Sequence, residues 1–209
     1  MIHSHSAYPQ NWELISEQLA DQSYAVADQF LSPEQVLLFN QMVLNHYQSG
    51  QFKTAGVGRG LTYLEKEKVR GDQIYWLSEK NTDPLIRNYW EDIARLTQYL
   101  NRTCFLGLRS SEFHFAVFPI GQEYKRHLDV FKDSDARKIS VIVYLNPEWQ
   151  EDWGGALRLY LPNGELDIQP LGGRMVCMRS ELIEHAVLPV KRERYSLTGW
   201  LKTADPLLI

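Results

Sequence analysis

Cysteine is scarce in this chain. The two cysteines among 209 residues, Cys104 and Cys177, stand far apart and form no CxxC pair, so neither a disulfide framework nor a thiolate zinc cluster is expected. Reduced, buried thiols in a cytoplasmic protein are the natural reading of that usage. Long apolar runs are missing too. Nothing approaches the ~18–20 residues with which a helix spans a bilayer, and the opening MIHSHSAYPQNW has neither the basic nor the apolar region of a signal peptide. No membrane association is therefore expected. Charge of one sign is also lacking: a formal net charge of −4 offers no global basic field to nucleic acid. No repeat or low-complexity segment is visible. With 44% hydrophobic and 23% charged residues, the composition is that of one globular domain able to bury its own core.

Two grammars follow one another along the chain. In the first half, Leu14, Ile15 and Leu19, then Val36, Leu37, Phe39, Val43 and Leu44, recur at helical spacing. Ser32-Pro33-Glu34 reads as an N-cap followed by proline at the first helical position. Asp83-Pro84 opens a further helix through Leu85, Ile86, Trp90, Ile93, Leu96 and Leu100. Between these helices, Gln48 to Gly60 is rich in glycine and polar residues and reads as a loop or the tip of a long hairpin. After Arg102 come short β-prone runs: Phe113–Phe118, Ile139–Leu145, Ala156–Leu161, Arg174–Met178 and Tyr195–Leu201, each bounded by turn residues. Strands separated by turns rather than helices predict an antiparallel sandwich or barrel. The expected class is α+β, one domain over 1–209, with helical support and a finger-like loop (about 50–69) in 1–105 and the barrel in 106–204.

His127, Asp129 and the distant His185 are the candidate metal ligands. Residues two apart in an extended segment share a face, and a barrel brings a third ligand from a remote strand. Two imidazoles and one carboxylate on one face of an octahedron leave three open positions, the arrangement of non-haem Fe(II) oxygenases. A closed structural zinc site would more often recruit cysteine. Nine residues beyond His185, Arg194 opens the final strand. Alternation places Arg194, Ser196, Thr198 and Trp200 on one, mostly polar, face. A guanidinium grips a carboxylate through two parallel hydrogen bonds, which suits it to the distal end of 2-oxoglutarate.

Further segments extend this pattern. Val69-Arg70-Gly71-Asp72-Gln73-Ile74-Tyr75-Trp76, Phe118-Pro119, Tyr124-x-x-His127-x-Asp129, Tyr144-Leu145-Asn146, Gly154-Gly155-x-Leu157-Arg158 and Arg194-Tyr195-Ser196-Leu197-Thr198-Gly199-Trp200 resemble, in order and approximate spacing, segments of the prolyl 4-hydroxylase-like 2-oxoglutarate oxygenases. The resemblance is strongest to the hypoxia-type prolyl hydroxylase domain enzymes and their bacterial relatives. It implies a double-stranded β-helix (jelly-roll) barrel of mainly antiparallel strands. It further implies Fe(II) on His127, Asp129 and His185, and 2-oxoglutarate on Arg194 with Tyr144, Tyr124, Trp200 and Ser196 around it. A peptide substrate would lie near Arg137, Trp76, Asp72 and Arg70, with the Gly50–Val69 loop as a lid. Dioxygen would be the oxidant, succinate and carbon dioxide the products, and L-ascorbate an optional reductant. The partner would be a protein with a target proline, a translation factor being one candidate. Phe118 departs from the pattern, since animal members carry tyrosine there. An oxygenase acting on a small molecule or free amino acid is the alternative enzyme, disfavoured by the finger-like loop. A non-catalytic metal or dicarboxylate sensor is disfavoured by Arg194 beside a complete triad.

Overall fold

The structure is a computed structural model that describes residues 12–56, 69–130 and 136–203. Its helices begin where local chemistry tells them to. α1 spans Trp12–Gln22, and after strand β1 (Tyr24–Ala27) α2 runs Pro33–Gln48. Ser32 caps α2: its hydroxyl accepts from the Gln35 amide, and the Gln35 side chain accepts from the Ser32 amide, so two otherwise orphaned donors are satisfied at once. A short hairpin, β2 (Lys53–Thr54) and β3 (Gln73–Trp76), then leads to α3 (Pro84–Cys104), whose cap is Asp83, accepting from the Leu85 amide at 2.8 Å. The hairpin is the base of the expected finger. The lid itself falls mostly on residues 57–68, which lie outside the described residues.

Eight further strands make up the second half: β4 (Ser110–Phe118), β5 (Tyr124–His127), β6 (Arg137–Tyr144), β7 (Leu157–Leu161), β8 (Gly164–Ile168), β9 (Met175–Arg179), β10 (Glu184–Val187) and β11 (Arg194–Lys202). They distribute into a seven-stranded sheet, β1-β9-β6-β11-β4-β3-β2, and a four-stranded sheet, β5-β10-β7-β8, with antiparallel pairing throughout. From β4 onward the chain alternates between the two sheets, the β7–β8 hairpin excepted, which is the double-stranded β-helix. The helical half contributes more than support, because β1, β2 and β3 extend the larger sheet at both edges.

Period-two alternation gives the larger sheet two different faces. Phe113, Phe115, Val117, Ile139, Val141, Val143, Cys177, Leu197 and Leu201 pack with Phe39, Val43, Ile86, Tyr89, Ile93, Leu96 and Leu100 of the helices. The opposite face turns Phe118, Ile142, Tyr144, Val176 and Met178 toward Leu157, Leu159 and Val187 of the smaller sheet. Leu14 and Leu37 fit the helical spacing but stand exposed. Gly199 shows how tightly β11 is clamped: a Cβ there would come within 2.2 Å of the Glu112 carbonyl oxygen and 2.3 Å of the Phe113 ring. Gly199→Ala is expected to cost about 3 kcal/mol through forced displacement of β4, read as a lowered urea midpoint at unchanged slope.

Candidate active site

His127 and His185 are direct cross-strand partners in the β5–β10 pair, so their side chains rise from the same face of the smaller sheet. Asp129 follows two residues after His127. The ligand atoms of the three residues lie within 4.8 Å of one another, with His127 Nε2 at 3.5 Å from Asp129 Oδ1 and His185 Nε2 at 3.6 Å from Asp129 Oδ2. Each imidazole turns its other nitrogen to a backbone carbonyl: His127 Nδ1 to Lys125 at 2.7 Å and His185 Nδ1 to Ile183 at 3.1 Å. A carbonyl only accepts, so both Nδ1 atoms carry the proton and both Nε2 lone pairs face Asp129. That tautomer is the one a metal requires.

Electrostatics agree with this assignment. Burial pushes the His185 imidazole down to about 4, so it is neutral at pH 7. Burial alone would raise the Asp129 carboxyl, but positive charge at the imidazole end, together with the Ser140 hydroxyl, outweighs it and holds the group well below the usual range, so the carboxylate is poised for a cation between the three residues. Ser140 donates to Asp129 Oδ2 at 2.7 Å and meets the Ser180 hydroxyl at 2.9 Å. Two imidazoles and one carboxylate, with no thiolate, are the donor set of a mononuclear Fe(II) centre.

The other end of the same cavity holds Arg194. Asn146 pins the start of β11, accepting from the Tyr195 amide and donating to the Pro170 carbonyl, both at 2.8 Å. Arg194 is 1% exposed, yet its Nε and Nη2 have no hydrogen-bond partner, and neither has the Tyr144 hydroxyl. Burial lowers the guanidinium below its ordinary value, opposed by Tyr144 and by Asp72. Its carbon lies 4.9 Å from the Tyr144 ring centre and 5.2 Å from that of Phe118. Aromatic faces soften the cost of burying a cation but satisfy none of its donors. Nε–H and Nη2–H form the guanidinium edge that grips a carboxylate through two parallel hydrogen bonds, and the Tyr144 ring lies beside it. The residues present therefore fit both iron and 2-oxoglutarate.

The remaining expected residues are placed as follows. Trp200 lines the cavity between the two ends. Ser196 shares its strand face, but its hydroxyl turns to Thr198 Oγ1 at 3.1 Å, and it is Thr198 that lines the cavity. Tyr124 stacks on the His127 ring at 3.5 Å, and burial pushes its phenol up to about 12. Arg70 and Asp72 are bound to each other through two hydrogen bonds of 2.7 and 2.6 Å, with Asp72 only 1% exposed and Arg70 lying 4.6 Å over Tyr124. Arg70 and Asp72 both line the inner cavity beside Tyr124, and Arg70 lines the outer mouth as well. Arg137 and Trp76 stand at the outer mouth. The Arg137 guanidinium lies 3.4 Å over the Trp200 ring and pairs with Glu112 at 2.8 Å, and Glu112 is held in turn by Lys202 at 2.8 Å. Sequence reasoning missed Glu112, His114 and Ser140. All three were findable by carrying the alternation of β11 across its neighbours, since Trp200 pairs with Glu112 and Ser140, and Thr198 with His114.

Fold and site together define a non-haem iron oxygenase. Residues 113–202 match the family described as the 2OG-Fe(II) oxygenase superfamily. A solved prolyl-4-hydroxylase from Pseudomonas putida is similar at 34% identity and a TM-score of 0.84, over 92% of this chain and 99% of that one. A Trichoplax adhaerens prolyl hydroxylase, solved with a hypoxia inducible factor oxygen degradation domain peptide fragment, is 28% identical with a TM-score of 0.83, over 91% and 88%. Egl nine homolog 1 of Mus musculus is 28% identical over 189 residues, 86% of this chain and 46% of the relative. The chain spans about half the length of the first curated relatives it matches. It belongs to the 2OG-Fe(II) oxygenase superfamily, whose chemistry uses Fe(II), 2-oxoglutarate and dioxygen.

Two outcomes follow from this geometry. Ser140→Ala leaves every ligand in place but frees Asp129 to rotate, and should weaken Fe(II) binding by roughly tenfold, measured by competition with a chelator. The second concerns pH. Burial, with the nearby Arg70, pushes His114 down to about 3, against ~6.5 in an unfolded chain. Below pH ~6.5 the unfolded state takes up a proton that the folded state refuses, so stability is present at neutral pH and is lost as pH falls toward 3. Between pH 7 and pH 5 this imidazole should cost about 2 kcal/mol. Urea titrations at the two pH values would show a smaller difference in His114→Leu than in the wild type.

Proposed function

We propose that this chain hydroxylates a prolyl residue within a protein, converting 2-oxoglutarate and dioxygen to succinate and carbon dioxide. One observation carries the reading. A single cavity is lined both by His127, Asp129 and His185 and by Arg194, a buried guanidinium whose Nε and Nη2 have no partner, and it adjoins a mouth lined by Trp76, Arg137 and Trp200. The likeness to the Pseudomonas putida prolyl-4-hydroxylase over nearly the whole chain supports proline as the target. The peptide held by the Trichoplax adhaerens enzyme supports a protein rather than a free amino acid.

Each residue has a task in this reading. His127, Asp129 and His185 would hold iron and leave its remaining positions facing the cavity. Arg194 and Tyr144 would donate to the distal carboxylate of 2-oxoglutarate, fixing how far the molecule enters. Ile142, Leu157 and Val187 line the cavity with apolar surface and exclude water, which strengthens every polar contact inside. Trp76 and Arg137 would receive the peptide. When bound, iron and 2-oxoglutarate supply the activation of dioxygen and its delivery to a C–H bond. L-Ascorbate is proposed as the reductant that keeps the iron divalent. The two unpaired thiols, Cys104 and Cys177, support a reducing compartment, and we place the protein in the cytoplasm. A translation factor remains the first partner to try.

The test is succinate formation by the Fe(II)-reconstituted protein, with mass spectrometry for a +16 Da shift on proline in peptides and cell proteins. Arg194→Leu should raise the KM for 2-oxoglutarate by more than about tenfold, and His127→Ala should abolish turnover. Full turnover in His127→Ala would remove the iron assignment. A shift found on free amino acids or metabolites but never on a peptidyl proline would move the substrate to a small molecule.

A further inference from the structure

His114 is the one polar ring in the cavity that the roles above leave without a task. It sits in the middle of β4, between Trp76 on β3 and Thr198 on β11. Its ring centre lies 4.9 Å from that of Trp76 and 5.6 Å from that of Trp200. Only 2% of the residue is exposed, and Nδ1 has no hydrogen-bond partner. The same side chain lines both the inner cavity and the outer mouth, as do Arg70, Tyr124, Asp129 and Trp200, so it stands where the two spaces adjoin. A side chain present only to fill space among tryptophans would be better served by leucine or phenylalanine, which leave no donor or acceptor unmet.

We propose that His114 is a specificity-determining residue that hydrogen-bonds a backbone amide flanking the target proline. The inference rests on the peptide-substrate reading above and deepens it. A neutral imidazole carries one donor and one acceptor, the complement of a peptide group. Burial and Arg70 keep this ring neutral at physiological pH, which makes it a poor receptor for a carboxylate, and the carboxylate of 2-oxoglutarate already has Arg194 and Tyr144. The flanking indoles of Trp76 and Trp200 fix the ring's position. Free proline, with a charged amine and carboxylate in place of two amides, lacks this contact. His114 therefore selects proline within a chain over proline alone.

The probe is a pool of acetylated, amidated heptapeptides with a fixed central proline and randomised flanks. The member that wild-type protein hydroxylates best is taken forward. KM and kcat are measured for it and for 2-oxoglutarate, together with peptide affinity for protein loaded with redox-inert Zn(II) and 2-oxoglutarate, by calorimetry. His114→Leu should raise peptide KM and Kd about tenfold, the loss of one hydrogen bond to a buried partner. KM for 2-oxoglutarate and peptide-free succinate formation should stay within about twofold, and His114→Gln should recover most of the peptide affinity. Unchanged peptide KM and Kd in His114→Leu would overturn the proposal. So would a parallel rise in KM for 2-oxoglutarate, or a glutamine variant no better than leucine. If His114→Leu does not match the wild-type melting temperature, His114→Met replaces it under the same criteria. A wild type that modifies no peptide of the pool defeats the peptide-substrate reading itself, whereas a wild type that does, with variants equal to it, defeats only the role of His114.

Discussion

A guanidinium sealed from water without an anion is a costly thing to build, and much of this molecule is arranged around one. Arg194 is 1% exposed, at the start of a strand with hydrogen-bonded neighbours on both sides. A Cβ on Gly155 would lie 3.2 Å from Arg194 Cδ and 2.9 Å from Val190 Cγ1, so glycine at that position leaves room for the arginine stem. Asn146 fixes the strand's entry, and the rings of Phe118 and Tyr144 flank the charge. None of these contacts neutralises it. Removing a paired buried charge from its partner typically costs several kcal/mol, and in the proposed reading the cosubstrate would supply the missing partner. Affinity for a dicarboxylate is thus a consequence of folding: the fold tolerates the charge because the cosubstrate completes it.

The larger sheet makes this tolerable by separating two kinds of surface. Its helical face is uniformly apolar, with Phe113 held edge-on between Tyr89 at 5.3 Å and Trp90 at 5.4 Å and Phe39 edge-on to Phe115 at 6.2 Å. That face provides the burial that stabilises the domain. The opposite face can then carry His114, Ser140, Arg194, Ser196 and Thr198, all polar, in place of a well-matched core. Because a one-residue slip of β11 would exchange the two faces, the tight packing at Gly199 is also what keeps the arginine inside.

How much of this was legible beforehand depended on whether a residue's task is local. Helix caps at Ser32 and Asp83 act within three residues and were readable from spacing alone. Five of the eight strands of the second half were found within a few residues of their ends, since alternation is a local signal. Strands that owe their existence to a partner were not found: β1 is four residues long and lies on the edge of the larger sheet, β8 (Gly164–Ile168) is largely exposed and paired only with β7, and β10 is four residues in register with β5 and β7. His127 and Asp129 could be paired by their two-residue spacing, whereas His185 was joined to them only as the remote ligand a barrel allows, supported by Arg194 nine residues on. Arg70 and Asp72 were expected near a peptide, and the structure shows them bound to each other beneath Tyr124, an ion pair that adjacency in sequence does not announce. His114 was visible only as a member of a β-prone run. Its place between two tryptophans is a property of sheet register, which no single strand encodes.

Register also explains why the site sits across the two sheets rather than on one. The metal histidines belong to the smaller sheet, while Arg194, Tyr144, Thr198 and Trp200 belong to the larger. In the proposed reading, iron and the distal carboxylate of 2-oxoglutarate would be anchored to different layers, and productive geometry would require those layers to keep a fixed separation. Apolar contact between Ile142 and Val176 on one side and Leu157 and Leu159 on the other supplies cohesion, but such contact is non-directional. Direction comes from polar links, among them the backbone bonds of Val69 and Gly71 to the β5 segment and a side-chain bond at the metal end. Ser140, on β6 of the larger sheet, donates to Asp129 beside the histidines of the smaller one, and Ser180 holds the Ser140 hydroxyl in turn. A ligand that is itself hydrogen-bonded to the opposite sheet reports any sliding of the layers directly to the metal. Positioning at the scale of a chemical step follows from that bond more than from the much larger area of packing around it.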